Sequence, residues 1–203
     1  MASNGTQPND ASDIPSASAD GRYVAFHSFA SNLVQGDTNA TSDIFVHDRQ
    51  TGQTTRVSVS SDGTQGNGKS ETARINADGR YISFTSFASN LVPGDTNNAF
   101  DVFVCDRVAS QSTRVSVATD GTQANGDASV SSISGDGRCV AFMSAASNLV
   151  SGDSNDATDI FVHERSTLPL KKADLIGTWA DTGVFSRNSD TFPEQVVDNS
   201  APA

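Results

Sequence analysis

The chain has 203 residues, 18 % of them charged, and a net charge of -11 with only three lysines (Lys69, Lys171 and Lys172). That length supports one domain with a sizeable core. The lack of a basic patch excludes binding driven by counterion release from nucleic acid and disfavours anionic membranes, and no apolar run reaches the roughly 18 residues of a membrane span.

From the N-terminus, MASNGTQPND has neither a basic n-region nor an apolar h-region, so no signal peptide is visible. NGTQ at 4–7 returns as DGTQ at 62–65 and 120–123. SADGRYVAF at 18–26 predicts two strands, near 14–18 and 22–28, around a two-residue Asp-Gly hairpin turn. A long loop holding SNLV (31–34) and GDTN (36–39) leads to a third strand near 43–48. DRQTGQT, with Gly52 at its tip, turns the chain into a fourth strand near 54–60. The series then recurs, with strands near 72–76, 80–86, 101–106 and 112–118, and again near 130–134, 138–144 and 159–164. Gly21, Gly79 and Gly137 stand 58 residues apart, and the register holds without insertion from residue 4 to about 166.

A fixed period of this kind means repeated supersecondary units that bury their faces against one another. YVAF (23–26) and IFV (44–46) are apolar at successive positions, so both sides of each sheet need cover. Four-stranded sheets stacked around an axis meet that need. The predicted fold class is therefore all-β, a β-propeller of three blades at about 4–61, 62–119 and 120–166. An atypical hairpin follows at 167–190, where LIGTW either completes the third blade or offers Trp179 and Phe185 as a ligand platform, and 191–203 reads as a tail. Propellers carry about 4–8 blades. Three blades therefore predict either a homodimer closing to six or a part of a larger propeller.

SADGRYVAF, NADGRYISF and SGDGRCVAF, each followed by a DIFVHDR-type strand, resemble the TolB-type Asp-Gly propeller repeats of bacteria. That resemblance implies a propeller serving as a binding platform, a periplasmic scaffold or a cap on a peptidase. The loop between the second and third strands, roughly 28–43, is longer here than in the compact form of that repeat.

Strand parity places this long loop and the blade-to-blade linker at one end of the blade, where long loops on a rigid frame carry binding. Within it, D-x-N-x-x-x-D occurs as Asp37, Asn39, Asp43, as Asp95, Asn97, Asp101 and as Asp153, Asn155, Asp159. Closely spaced oxygen ligands suit Ca²⁺, although Ser42, Phe100 and Thr158 stand where an EF-hand loop needs glycine. The other reading is that these residues form turns through their own backbone bonds. His47, Cys105 and His163 share one repeat position and are expected between blades rather than on one metal. Arg22, Arg80 and Arg138 are expected to pair with Asp48, Asp106 and Glu164.

Nucleophile-elbow, zinc-protease and phosphate-loop motifs are absent. The expected function is a non-enzymatic binding or scaffold module presenting an acidic long-loop face to a protein or glycan. The alternatives are a calcium-dependent hydrolase of an ester, lactone or phosphoester, and a structural segment of a longer array. Cys105 and Cys139 make no disulfide framework. Low Cys and Lys with abundant Ser, Thr and Asn point to an extracytoplasmic, bacterial protein.

Overall fold

A computed structural model describes residues 2–155 and 157–165. The expected features at 167–203 lie outside these. Eleven strands form three antiparallel sheets in simple up-and-down order. The first holds β1 (Ser12–Ala17), β2 (Tyr23–Ser28), β3 (Asp43–Asp48) and β4 (Gln53–Arg56). The second holds β5 (Ser70–Ile75), β6 (Tyr81–Ser86), β7 (Asp101–Asp106) and β8 (Gln111–Arg114). The third holds β9 (Ala128–Ile133), β10 (Cys139–Ser144) and β11 (Asp159–Glu164).

The sheets stack in sequence, as faces apolar on both sides demand. Between the first and second, Ala25, Ile44, Val46 and Val57 meet Ala73, Ile82, Phe84 and Phe103, all buried. Val102, Val104 and Val115 meet Val140, Phe142 and Phe161 in the same way. Each blade carries one stacked phenylalanine pair across its two central strands: Phe26–Phe45, Phe84–Phe103 and Phe142–Phe161, with centroids 5.8–5.9 Å apart. The Asp-Gly turns join neighbouring blades at the opposite end from the long loops. Tyr23 covers Gly79 and Tyr81 covers Gly137, so closely that a Cβ at either glycine would run into the ring. Arg107 and Arg165 lie over those rings, 4.4 and 4.1 Å from the centroids.

Three local features differ from the sequence reading. The Asp-Gly turn is a four-residue loop, closed by Ser18 N–H donating to Tyr23 O and by Asp20 Oδ1 accepting from Arg22 N–H. The fourth strands end at Arg56 and Arg114 rather than near 60 and 118, because a side chain takes over the ladder: Ser58 Oγ accepts from Ile44 N–H, and Ser116 Oγ from Val102 N–H. The innermost strand of each blade is bulged, with Ile14, Thr72 and Val130 at φ of 49°, 53° and 45°. β-Branched residues rarely adopt that conformation, so each blade stores backbone strain at the same place.

Arg22 and Arg80 make the expected pairs, each bidentate to Asp48 and Asp106 at 2.8–3.0 Å. Arg138 and Glu164 form no such pair among the described residues. The second hairpin turn offers a direct test of backbone strain. Gly52 has φ of 73°, but Ser110 holds the equivalent place in the next blade at 52°. Ser110→Gly is expected to raise the unfolding free energy by about 0.5–1 kcal/mol, measured by urea titration, since the side chain is exposed and only strain is removed.

Candidate functional site

The long loops and the linkers do meet at one end, and the SNLV motif is the latch between them. Its serine and asparagine hold the linker: Asn67 Nδ2 donates to Ser89 Oγ, Asn67 N–H to Asn90 Oδ1 and Asn90 Nδ2 to Gln65 O, at 2.8–3.0 Å. Asn9 with Ser31 and Asn32, and Asn125 with Ser147 and Asn148, repeat the arrangement. Its leucine, Leu33, Leu91 or Leu149, is buried beneath.

The D-x-N-x-x-x-D residues come together in the first two blades, around groups that the pattern alone does not name. Arg56 Nη1 lies 3.5 Å from Asp37 Oδ1 and 3.3 Å from Asp43 Oδ2. Gln65 Nε2 donates to both carboxylates at 3.0 Å, and Asn39 Nδ2 donates to Asp43 Oδ2 at 3.1 Å. Ser58 Oγ donates to Asp43 Oδ1 at 2.6 Å. Arg114, Gln123, Asn97 and Ser116 hold Asp95 and Asp101 in the same way. Asp43 and Asp101 are fully buried. Burial raises both carboxyls above their ordinary value, against the lowering effect of the serine, the glutamine and the arginine. Gln65 and Gln123 come from the linker to the next blade, so each cluster ties one blade to its successor.

The third copy is different. Asn155 Nδ2 donates to Asp159 Oδ2 at 3.2 Å and to Oδ1 at 3.5 Å, and Asp153 takes no part in a hydrogen bond with either side chain among the described residues. The register positions of Arg56, Ser58 and Gln65 hold Lys172, Asp174 and Asp181 in this copy. No group of three or more His, Cys, Asp or Glu side chains placed to hold a metal occurs among the described residues. Cys105 packs in the core between the first two blades, and burial pushes its thiol up to about 11.

A second feature breaks the repeat. Lys69, Phe87 and Phe100 occupy positions held by Ala11, Phe29 and Ser42 in the first blade and by Asp127, Ala145 and Thr158 in the third. Phe87 meets Phe100 edge-on at 5.3 Å, and Lys69 Nζ sits 4.8 Å from the Phe100 centroid. Beside them lies a cleft of about 160 Å³, lined by Asn67, Gly68, Phe87, Ser89, Asp95, Asn98 and Ala99. Phe87 is 46 % exposed. The signal that would have found this place is the departure from the repeat, not the repeat itself.

Stacked antiparallel sheets of three or four strands in up-and-down order, with their loops gathered at one end, decide the architecture. The fold is a partial β-propeller. Among solved structures the chain is similar to an oligogalacturonate lyase in complex with manganese, at 11 % identity and a TM-score of 0.52, over 86 % of this chain and 43 % of that one. It is also similar to the β-propeller domain of the Trilobed protease from Pyrococcus furiosus, at 12 % identity and a TM-score of 0.49, over 84 % of this chain and 42 % of that one. TolB from Acinetobacter baumannii matches at 18 % identity and a TM-score of 0.46, over 80 % of this chain and 32 % of that one. The chain thus spans less than half the length of these propeller proteins. No family model matches the sequence, and no curated protein matches it.

Proposed function

We propose that this propeller is a non-enzymatic binding module of the TolB-type repeat group, and that its long-loop face holds a neutral glycan in the cleft beside Phe87. The observation that carries this reading is the break in repeat symmetry. Structural residues recur at 58 residues, whereas Lys69, Phe87 and Phe100 do so only in part or not at all. An exposed aromatic face ringed by Asn67, Ser89 and Asn98 suits a sugar, whose apolar face stacks while its hydroxyls find amide and hydroxyl partners. A net charge of -11 disfavours an anionic ligand. A 160 Å³ cleft is smaller than the roughly 300–1,000 Å³ of a drug-sized ligand site, so it takes one ring of a longer chain. The Ser-, Thr- and Asn-rich, lysine-poor composition supports an extracytoplasmic setting, where such ligands are met.

The test is titration calorimetry against a panel of neutral oligosaccharides. Phe87→Ala is expected to weaken the best binder at least tenfold, the loss of about 1.4 kcal/mol that a stacked ring contributes. Binding unchanged by Phe87→Ala, or no neutral sugar bound by the intact protein, would overturn the proposal.

A further inference from the structure

The two ends of the blade stack are complementary halves of a contact the chain already makes twice. In each internal contact, a linker glutamine enters the acidic cluster of the preceding blade, as Gln65 does at Asp37 and Asp43 and Gln123 at Asp95 and Asp101. Gln7 is the same residue in the same register, and its backbone carbonyl accepts from Asn32 as those of Gln65 and Gln123 accept from Asn90 and Asn148. Its side chain is exposed and has no hydrogen-bond partner among the described residues. At the other end, Asp153 and the buried Asp159 present the cluster without its glutamine.

Three further features match across the two ends. Ala19 N–H donates to Ala77 O, and Ala77 N–H to Gly135 O, leaving Gly135 N–H and Ala19 O as the unpaired members of that series among the described residues. Ile44 and Val102 are fully buried in the internal contacts, whereas Ile160 at the same position is 40 % exposed. On the first blade, Phe26 is only partly covered, although Phe84 and Phe142 at the same position are buried. The register position of the missing glutamine is held by Asp181.

We propose that the outer face of the third blade docks on the inner face of the first blade of a second copy, with the partner's Gln7 completing the Asp153–Asp159 cluster. Two such contacts related by a two-fold along the propeller axis close a six-bladed ring from two chains. The contact continues an interface already formed twice, rather than creating a new kind of surface. It stands apart from the cleft beside Phe87, so sugar binding and assembly fail independently.

Sedimentation equilibrium of the full chain, from about 0.1 to 100 μM, tests the proposal by mass action. The expected species has twice the 21.1 kDa chain mass. Gln7→Glu sets a third carboxylate against Asp153 and Asp159 and is expected to weaken association at least about thirtyfold, because like charges at an interface repel. Adding Asp153→Asn to Gln7→Glu should restore most of the loss. Gln7 is exposed in the single chain, so its replacement leaves each copy folded, as melting of the dilute variant would show. A monomer at every concentration, as when residues 166–203 of the same chain cover the third blade, would overturn the proposal. So would open-ended higher oligomers, or an association unchanged by Gln7→Glu.

Discussion

Replacing Arg114 by alanine is expected to cost about 3–5 kcal/mol of stability, because it leaves a buried charge cluster without its cation. The Arg114 side chain is 10 % exposed, and it faces Asp95 at 6 % and Asp101 at 0 %. Water cannot replace the guanidinium there, so Asp101 must either stay charged in a poor solvent or take up a proton. Burial already holds its carboxyl above the ordinary value, and loss of Arg114 moves it further in the same direction. The sign follows from linkage. A carboxyl whose folded value is raised favours the folded state at low pH and loses that advantage as pH rises through the folded value. The deficit of Arg114→Ala should therefore be largest near neutrality and shrink on acidification. Urea unfolding at pH 7 and pH 5 measures both parts. Pairing Arg114→Met with Asp95→Asn and Asp101→Asn should recover most of the loss, since an uncharged cluster needs no cation. A loss below about 1 kcal/mol would mean that the cluster is solvated like a surface ion pair.

His163 sets the second large effect, a loss of about 3 kcal/mol as the pH falls from about 6.5 to about 4. Its ring is buried, and Nδ1 has no hydrogen-bond partner among the described residues. Burial first, and then the charge of Arg165, push the imidazole down to about 4. The unfolded chain protonates this histidine below its ordinary value of 6.5, while the folded chain does not until about 4, so folding is progressively opposed across that window. His163→Cys borrows the residue of the equivalent position in the second blade, Cys105. It should flatten most of the slope of unfolding free energy between pH 6.5 and pH 4.5. Some slope remains, because burial also lowers His47. An identical slope in wild type and variant would show that His163 protonates freely in the folded protein.

The blade architecture was legible because it is written three times. Apolar residues on both faces of β3, β7 and β11 require cover on both sides, and the constant 58-residue period makes that cover another copy. The acidic loops were legible only in part. Asp37, Asn39 and Asp43 do converge, but their partners Arg56 and Gln65 lie 13 and 22 residues beyond Asp43, on the next strand and linker. Spacing within a loop could not show that contact. A donor pair recurring with the same period, the Arg of TRVSV and the Gln of DGTQ, was the available signal. The strain at Ile14, Thr72 and Val130 left no trace in the sequence, because β-branched residues are what an ordinary strand would carry. The cleft beside Phe87 is mostly built from recurring residues, Asn67, Ser89 and Asp95 among them, and only its Asn98 and the adjoining Lys69 and Phe100 have no counterpart in either other blade, so the 58-residue period does not mark it.

The most direct test of whether the protein's own cation and amide hold the acidic loops is thermal melting of the full chain in millimolar calcium and in chelator. The Asp43 and Asp101 oxygens already accept from serine, glutamine and asparagine and lie 3.3 and 3.5 Å from the Arg56 and Arg114 guanidinium groups, so the two midpoints are expected to agree within about 2 °C. A rise of about 10 °C or more in calcium would contradict this, and would mean that a bound ion does the work assigned to Arg56 and Arg114.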